Sequence, residues 1–346
     1  MAVVRMRDVA AHAGVSVPTV SKILSGSAAS NMIPARTIER VRQSASQLGY
    51  IPNAIARNLR TQRTREIGIV LGQETYSYSA AATLTLDGAF LIGLTEAVAA
   101  YHLPGMVVYP RERSSSISDV SRYLDGRIEG LLVRSSTPHH EERLLSLLAR
   151  SPLPVVAVWT QEVPETVGFV DVDHRTGAYQ AVRHLLDLGH RRIAYVEPSP
   201  VFEHPHFLAR FQGYEQALRE GQVTFRPEWH VIGIEQEKIE RLLQLPDAVT
   251  AIFTPNDMSA GTVATILHAL HRRIPGDISL VGFDDIVNAD LIAGGLTTVH
   301  QPIQEISVQA VRNLIALIGG VPAVECRTVL STSLIIRNSS APPAAG

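Results

Sequence analysis

Residues 16–22 read Ser-Val-Pro-Thr-Val-Ser-Lys, and their types suit contact with a nucleic-acid duplex. The Lys22 ammonium can donate to guanine O6 and N7, and Val17, with Pro18 beside it, can face base edges and touch a thymine methyl. The hydroxyls of Thr19 and Ser21 suit phosphates, where short donors fix register without reading sequence. This chemistry needs all five side chains near the start of one protruding helix. Groups for bond-breaking chemistry are scarcer. No Ser/His/Asp spacing, nucleophile elbow or phosphate-cradling glycine loop occurs, so catalysis has no support and no cofactor is expected. His204-x-His206 has a spacing that zinc uses, yet neither a cysteine nor a third ligand accompanies it, so no metal is expected. Solvated loop histidines are the first reading of that pair, and contact with a small ligand the second.

The elements that must position residues 16–22 are legible around them. Val9, Ala10 and Ala13 fall at helical spacing, and Gly14 can take the positive φ needed just past a helix end. Ser16 suits the N-cap of a second helix. Pro18 sits in that helix's first turn, where its missing N–H costs nothing. Val20, Ile23 and Leu24 make its buried stripe. Two short helices joined by a tight turn form a helix-turn-helix, whose second helix enters the major groove.

Charge agrees with this reading. Residues 1–65 hold ten Lys/Arg against Asp8 and Glu39, a net +8, whereas the whole chain carries −2, so the remainder carries −10. A small basic head on a large acidic body pairs a polyanion-binding module with something that binds other ligands. At 346 residues the chain has room for two or three domains with sizeable cores. One cysteine, Cys326, rules out a disulfide framework within the chain and suits a reducing compartment. No apolar run is long enough to span a membrane, and none opens the chain, so a cytoplasmic protein without membrane contact is expected.

The motif running from Asp8-Val9-Ala10 through Ala13-Gly14-Val15-Ser16 to Thr19-Val20-Ser21 and Leu24 resembles the DNA-binding head of the LacI/GalR family of bacterial transcription regulators. The similarity continues through residues 37–41 and 48–59, and then along the body almost to the C-terminus. His184-Leu185 with Gly189-His190-Arg191-Arg192-Ile193-Ala194, Arg210-Phe211-Gln212-Gly213-Tyr214, Asn256-Asp257, residues 274–285 and Leu296-Thr297-Thr298 carry it there. The resemblance implies a repressor of pseudo-palindromic operator DNA that acts as a homodimer and answers to a small polar effector, most plainly a carbohydrate. It also implies a hinge helix, starting after an Asn53 cap, that places Ala56, Arg57 and Leu59 in the minor groove. Leu59 is wedged between base pairs in the family. A helix of six or seven residues is too short to be stable alone.

Beyond residue 66, short apolar runs alternate with helical patterns, the signature of parallel α/β architecture. The expected fold class is therefore α/β: an all-α helix-turn-helix head plus two doubly wound parallel-sheet lobes that resemble a periplasmic sugar-binding protein. The resemblance implies that the chain crosses between the lobes three times, with residues from 301 onward returning partly to the first. The expected domains are a head at 1–52, a hinge helix and linker at 53–65, a two-lobed effector-binding and dimerisation domain at 66–338, and a disordered tail at 339–346.

By the resemblance, Arg210 and Asp257 line the effector cleft, where a guanidinium fork and a carboxylate suit the hydroxyls of a sugar. Asp257 falls where an aspartate also serves as a helix N-cap, and the two roles can coexist. Ligand contact and capping are equally good readings of Asp173. Near Gly233 the family often carries an aromatic platform, and here Ile234 and Glu235 stand instead. Trp159, at the end of a strand, can supply the missing ring, although simple packing is the commoner role. Residues 73–86 replace an Asn-Pro-Phe-Phe-like element with a longer polar segment. The competing class is a solute-binding or sugar-processing protein with an incidental basic head.

Overall fold

The structure, a computed structural model, describes residues 4–24, 32–51, 63–71, 80–109, 120–134, 138–198 and 205–344. It divides into two compact units, Met1–Thr64 and Arg65–Gly346. The hinge candidates Asn53, Ala56, Arg57 and Leu59 lie outside the described residues, as do residues 73–79 and His204.

The first unit holds α1 (Met6–Ala13), α2 (Val17–Leu24) and α3 (Ala35–Gln47). Val9, Ala10 and Ala13 from α1 meet Val20 and Ile23 from α2 and Val41 and Ala45 from α3 in one small core. Gly14 ends α1 in the left-handed conformation, φ 62° and ψ 40°, which a glycine adopts without a Cβ penalty. The Val15 amide then returns 3.0 Å to the Ala10 carbonyl, reversing the chain toward α2.

The second unit begins with β1 (Ile67–Val70), α4 (Ala80–Ala100), β2 (Met106–Tyr109), β3 (Gly130–Arg134), α5 (Pro138–Leu148), β4 (Val155–Val158) and β5 (Gly168–Val172). The chain continues through α6 (His174–Asp187), β6 (Ile193–Glu197), α7 (Pro205–Glu220), β7 (His230–Ile232), α8 (Gln236–Leu243), β8 (Ala251–Phe253) and α9 (Asp257–Ala269). It closes with β9 (Ser279–Asp284), β10 (Thr297–His300), α10 (Ile303–Ile318), β11 (Arg327–Leu330) and β12 (Ser333–Ile335).

Two six-stranded sheets result, ordered β11-β5-β4-β3-β1-β2 and β12-β10-β9-β8-β6-β7. All pairings are parallel except β10 with β12, so the second lobe has an antiparallel edge. In the first sheet the period-2 alternation of strands divides the core. Ile67, Ile69, Leu132, Val156 and Val170 join Phe90 and Leu94 of α4 and Ile306, Val311 and Leu314 of α10. Val70, Leu131, Val133, Val155 and Phe169 face the other way, onto Leu144, Leu145 and Leu148 of α5. Both faces are covered by helices, as a parallel sheet requires. The second lobe has one continuous core, with Tyr195, Tyr214, Phe253 and Phe283 among its large buried side chains.

The chain passes between the sheets after β5, after β10 and between β11 and β12, which are the three expected crossings. The expected disordered tail is corrected, because its described part is pinned to the second lobe. Ser339 is fully buried, receives the Thr297 amide at 2.8 Å and donates to the Leu280 carbonyl at 2.6 Å. His184 and His190 hold Ser340 and Ala341 through contacts of 2.9 and 2.8 Å. Small and proline-rich composition removes the drive to form a core, but these polar partners, distant in sequence, supply order without one.

Candidate functional site

On the head, burial of Val20 and Ile23 leaves the opposite face of α2 outward. Val17, Pro18 and Lys22 are exposed, while Thr19 and Ser21 are half-buried. The Thr19 hydroxyl lies 2.8 Å from that of Ser16, so the two knit the first turn together. Ser16 Oγ also accepts from the Thr19 amide at a long 3.4 Å. Arg5, Arg7, Arg36, Arg40 and Arg42 are exposed as well, and the positive field of the sequence is therefore a surface property.

In the body, strands of parallel sheets end where ligands bind, and the polar side chains gather at those ends. Arg210, on the first turns of α7, is almost wholly buried. Its Nη1 stands 3.2 Å from Asp284 Oδ1 at the end of β9 and also donates to the Pro255 carbonyl. Its guanidinium lies over the Phe283 ring, 3.7 Å from the centroid. Nε and Nη2 point at His174 Nδ1, at 3.3 and 3.2 Å. Because a guanidinium only donates, Nδ1 must carry the lone pair, and Nε2–H then donates to Asp171 Oδ1 at 3.0 Å. Burial pushes the Arg210 pKa below its ordinary value, and the Asp284 carboxylate opposes that shift.

Asp257 is the first residue of α9, but the cap is its neighbour: Asn256 accepts from the Ser259 amide at 2.7 Å. That corrects the capping reading of Asp257. Its side chain points into the lobe, where one oxygen accepts from the Ile286 amide at 3.0 Å and the other from the Thr298 hydroxyl. Gly282 on β9 makes the room, since a Cβ there would strike Asp257 Oδ1. Burial, followed by the nearby Asp284 charge, raises the Asp257 pKa well above the carboxylate range.

Trp159, at the end of β4, is 7% exposed and takes a left-handed φ of 64°. Its ring packs on Phe90, centroids 4.9 Å apart, with the Arg134 guanidinium 5.2 Å above it. Arg134 Nε in turn lies 2.8 Å from Asp87 Oδ1. Trp159 Nε1 donates 3.1 Å to Gln301, which donates 2.6 Å to Asp284. Trp159 and Arg210 thus belong to one network that joins the two sheets.

The other candidates lie elsewhere. Asp173 caps α6 by accepting from the Thr176 amide at 2.9 Å. Glu235 precedes α8 on the surface and pairs with Lys238 at 2.8 Å, which holds its carboxyl below the ordinary range. The His206 ring approaches that of His174, centroids 5.7 Å apart, and no His/Cys/Asp/Glu group able to hold a metal occurs among the described residues. Sequence reasoning missed Asp284, Gln301, His174, Arg134 and Asp87. The available signal for Asp284 was the double aspartate closing Gly282-Phe283-Asp284-Asp285, where a strand leaves the sheet.

Comparison with known proteins settles the family. Residues 5–53 match the model of bacterial regulatory proteins of the lacI family, and residues 182–340 match a periplasmic binding protein-like domain. The HTH-type transcriptional regulator CelR of Thermobifida fusca is 30% identical over 96% of both chains. The HTH-type transcriptional repressor PurR of Vibrio vulnificus (strain CMCP6) is 30% identical over 88% of this chain and 89% of its own. The chain belongs to the lacI family of bacterial regulatory proteins. It is accordingly a DNA-binding transcriptional regulator with a small-molecule effector domain, and the matched head removes the reading of an incidental basic extension.

Among solved structures, a transcriptional regulator CelR–cellobiose complex aligns with TM-score 0.69 and 26% identity, covering 97% of this chain and all of that one. A lac repressor dimer bound to operator and the anti-inducer ONPF aligns with TM-score 0.77 over 98% and 99%; at 22% identity it shows the shared fold.

Proposed function

We propose that this regulator is a homodimeric repressor whose affinity for a pseudo-palindromic operator is set by a sugar or sugar derivative bound between its two lobes. The observation that carries the effector reading is the buried Arg210–Asp284 pair, linked through Gln301 to Trp159 and Arg134 of the opposite lobe. A planar donor fork beside a carboxylate suits vicinal hydroxyls, which both donate and accept. The similarity to a regulator solved with cellobiose supports the same ligand class. Trp159 serves as an edge of this site rather than as a stacking platform, since Phe90 and Arg134 already meet its ring. Asp257, Asp173 and Glu235 act in support, by bracing, capping and solvation.

On the DNA side, Val17, Pro18 and Lys22 face base edges, and Thr19 and Ser21 meet phosphates. The segment 53–65 forms a hinge in which Asn53, Ala56 and Arg57 follow the minor groove and Leu59 from each subunit wedges into its centre. The regulator works in the cytoplasm without catalysis; among the described residues no helix is long and apolar enough to cross a membrane.

The test is a thermal-shift screen against mono- and disaccharides, followed by gel shifts on genomic fragments with each stabilising sugar. A ligand at 100 times its Kd adds about 2.7 kcal/mol to stability. A stabilising sugar should change operator affinity in the wild type and fail to stabilise Asp284→Asn. A sugar that stabilises both proteins equally would move the site away from Asp284.

A further inference from the structure

Gln301 is 2% exposed and occupies the second crossover, between β10 of one lobe and α10 of the other. Its amide has no choice of orientation. The indole N–H of Trp159 can only donate, so it requires Oε1, and the carboxylate of Asp284 can only accept, so it requires Nε2. The Gln301 backbone amide also donates to the Asp284 carbonyl, at 3.3 Å. Asp284 Oδ1 is shared, since Gln301 Nε2 approaches it at 2.6 Å and Arg210 Nη1 at 3.2 Å. At the far end, Trp159 is held in a left-handed backbone by its own amide on the Val170 carbonyl at 2.9 Å. Left-handed conformations of bulky residues persist only where the surroundings over-determine them.

Both ends of the amide are therefore specified by polarity, and one oxygen serves both the effector pair and the crossover. We propose that Gln301 is a positioning residue that reports the state of the Arg210–Asp284 pair to Trp159, and so couples effector occupancy to the opposite lobe. This rests on the reading of that pair as the effector site. A ligand hydroxyl that donates to Asp284 competes with Gln301 for Oδ1. Once the carboxylate turns away, the amide is anchored at its Oε1 end alone, and its contact with the indole N–H loosens. The lobe containing β4 is then released from the crossover, a discrete change of the kind that interlobe switching needs.

The experiment uses the ligand-free full chain, so its failure is separable from failure of the effector reading, which is tested by sugar binding. Trp229, in the core of the second lobe, is replaced by phenylalanine, leaving Trp159 as the single tryptophan. Acrylamide quenching of its emission is measured in Asp284→Ala, in Gln301→Met, and in the double variant. The expected result is about a twofold or greater rise in the quenching constant for either single change, with no further rise in the double, the non-additivity of a shared relay. A merely structural Gln301 would leave Trp159 indifferent to Asp284→Ala. Exchange of the Trp159 indole N–H, read by NMR at a temperature where each variant is folded, gives a second measure. Unchanged quenching and exchange in Asp284→Ala, or additive effects in the double variant, would overturn the proposal.

Discussion

The guanidinium of Arg210 stands 3.2 Å from the carboxylate of Asp284, although one belongs to the start of a helix and the other to the end of a strand. Both side chains are buried. Removing one partner takes a buried countercharge from the other, which costs far more than the pair contributes.

Substitution at this pair should separate sensing from DNA binding. Arg210→Ala is expected to abolish the response to effector while leaving operator affinity without effector unchanged, measured by fluorescence anisotropy; Asp284→Ala, which also frees Gln301, is expected to abolish the response and to shift that affinity toward its effector-bound value. Coupling is reciprocal, so in the wild type the operator should change effector binding by the same factor by which effector changes operator binding. Unequal factors would mean that the two ligands do not act on one equilibrium.

Asp257 should behave as a structural residue. Asp257→Ala removes the acceptor of the buried Ile286 amide and should lower stability by about 2–3 kcal/mol. Asp257→Asn keeps an acceptor for that amide and a partner for Thr298, so a much smaller loss is expected. Its folded pKa is raised above the unfolded value near 3.8. The group's contribution is therefore fully present below that value and declines as pH rises toward the folded pKa. Chemical denaturation from pH 4 to 8 should show this decline in the wild type and less of it in Asp257→Asn.

Lys22→Ala should cost about 1–3 kcal/mol in operator binding and relax preference at one base pair per half-site. Binding-site selection with the variant checks this. Equal weakening on every sequence would assign Lys22 to the phosphate backbone.

The docked C-terminal segment predicts a stability change at mildly acidic pH. Burial lowers the pKa of both His184 and His190 below the ordinary value of 6.5. A depressed histidine pKa favours the neutral form in the folded state, so stability is full above about pH 6.5 and is lost as pH falls below it. His190 donates from Nε2 to the Ala341 carbonyl, and His190→Gln should flatten the fall in Tm between pH 7.5 and 5.5. An unchanged slope would remove His190 from the account.

The helix-turn-helix and the order of most strands were legible because they rest on local signals: Gly14 past a helix, hydrophobic periods of 3.6 and 2, and turn residues between them. Arg210 was legible through its motif. Asp284 was not, since its role depends on a guanidinium brought in from another element. Asp257 drew the ligand role from the resemblance, and its bracing role was not legible because the cap falls on Asn256 and its burial depends on the space left by Gly282. The order of residues 338–344 was hidden for the same reason, as their partners are His184, His190, Leu280 and Thr297. The elements β7, α8, β10, α10, β11 and β12 were not anticipated.

The path of the chain also governs how this protein is made. The first lobe's core is sealed by Ile306, Ala310, Val311 and Leu314 of α10, and its sheet ends on β11, both encoded near the 3′ end of the message. The segment carrying β1 to β5 must therefore emerge from the ribosome with part of one face of its sheet, beside Phe90 and Leu94, still open to water. The second lobe waits for β12 and Ser339 in the same way. Neither lobe can mature in sequence order, so a nascent chain stopped before residue 303 exposes apolar strands to chaperones and proteases, while the small head can already close on itself.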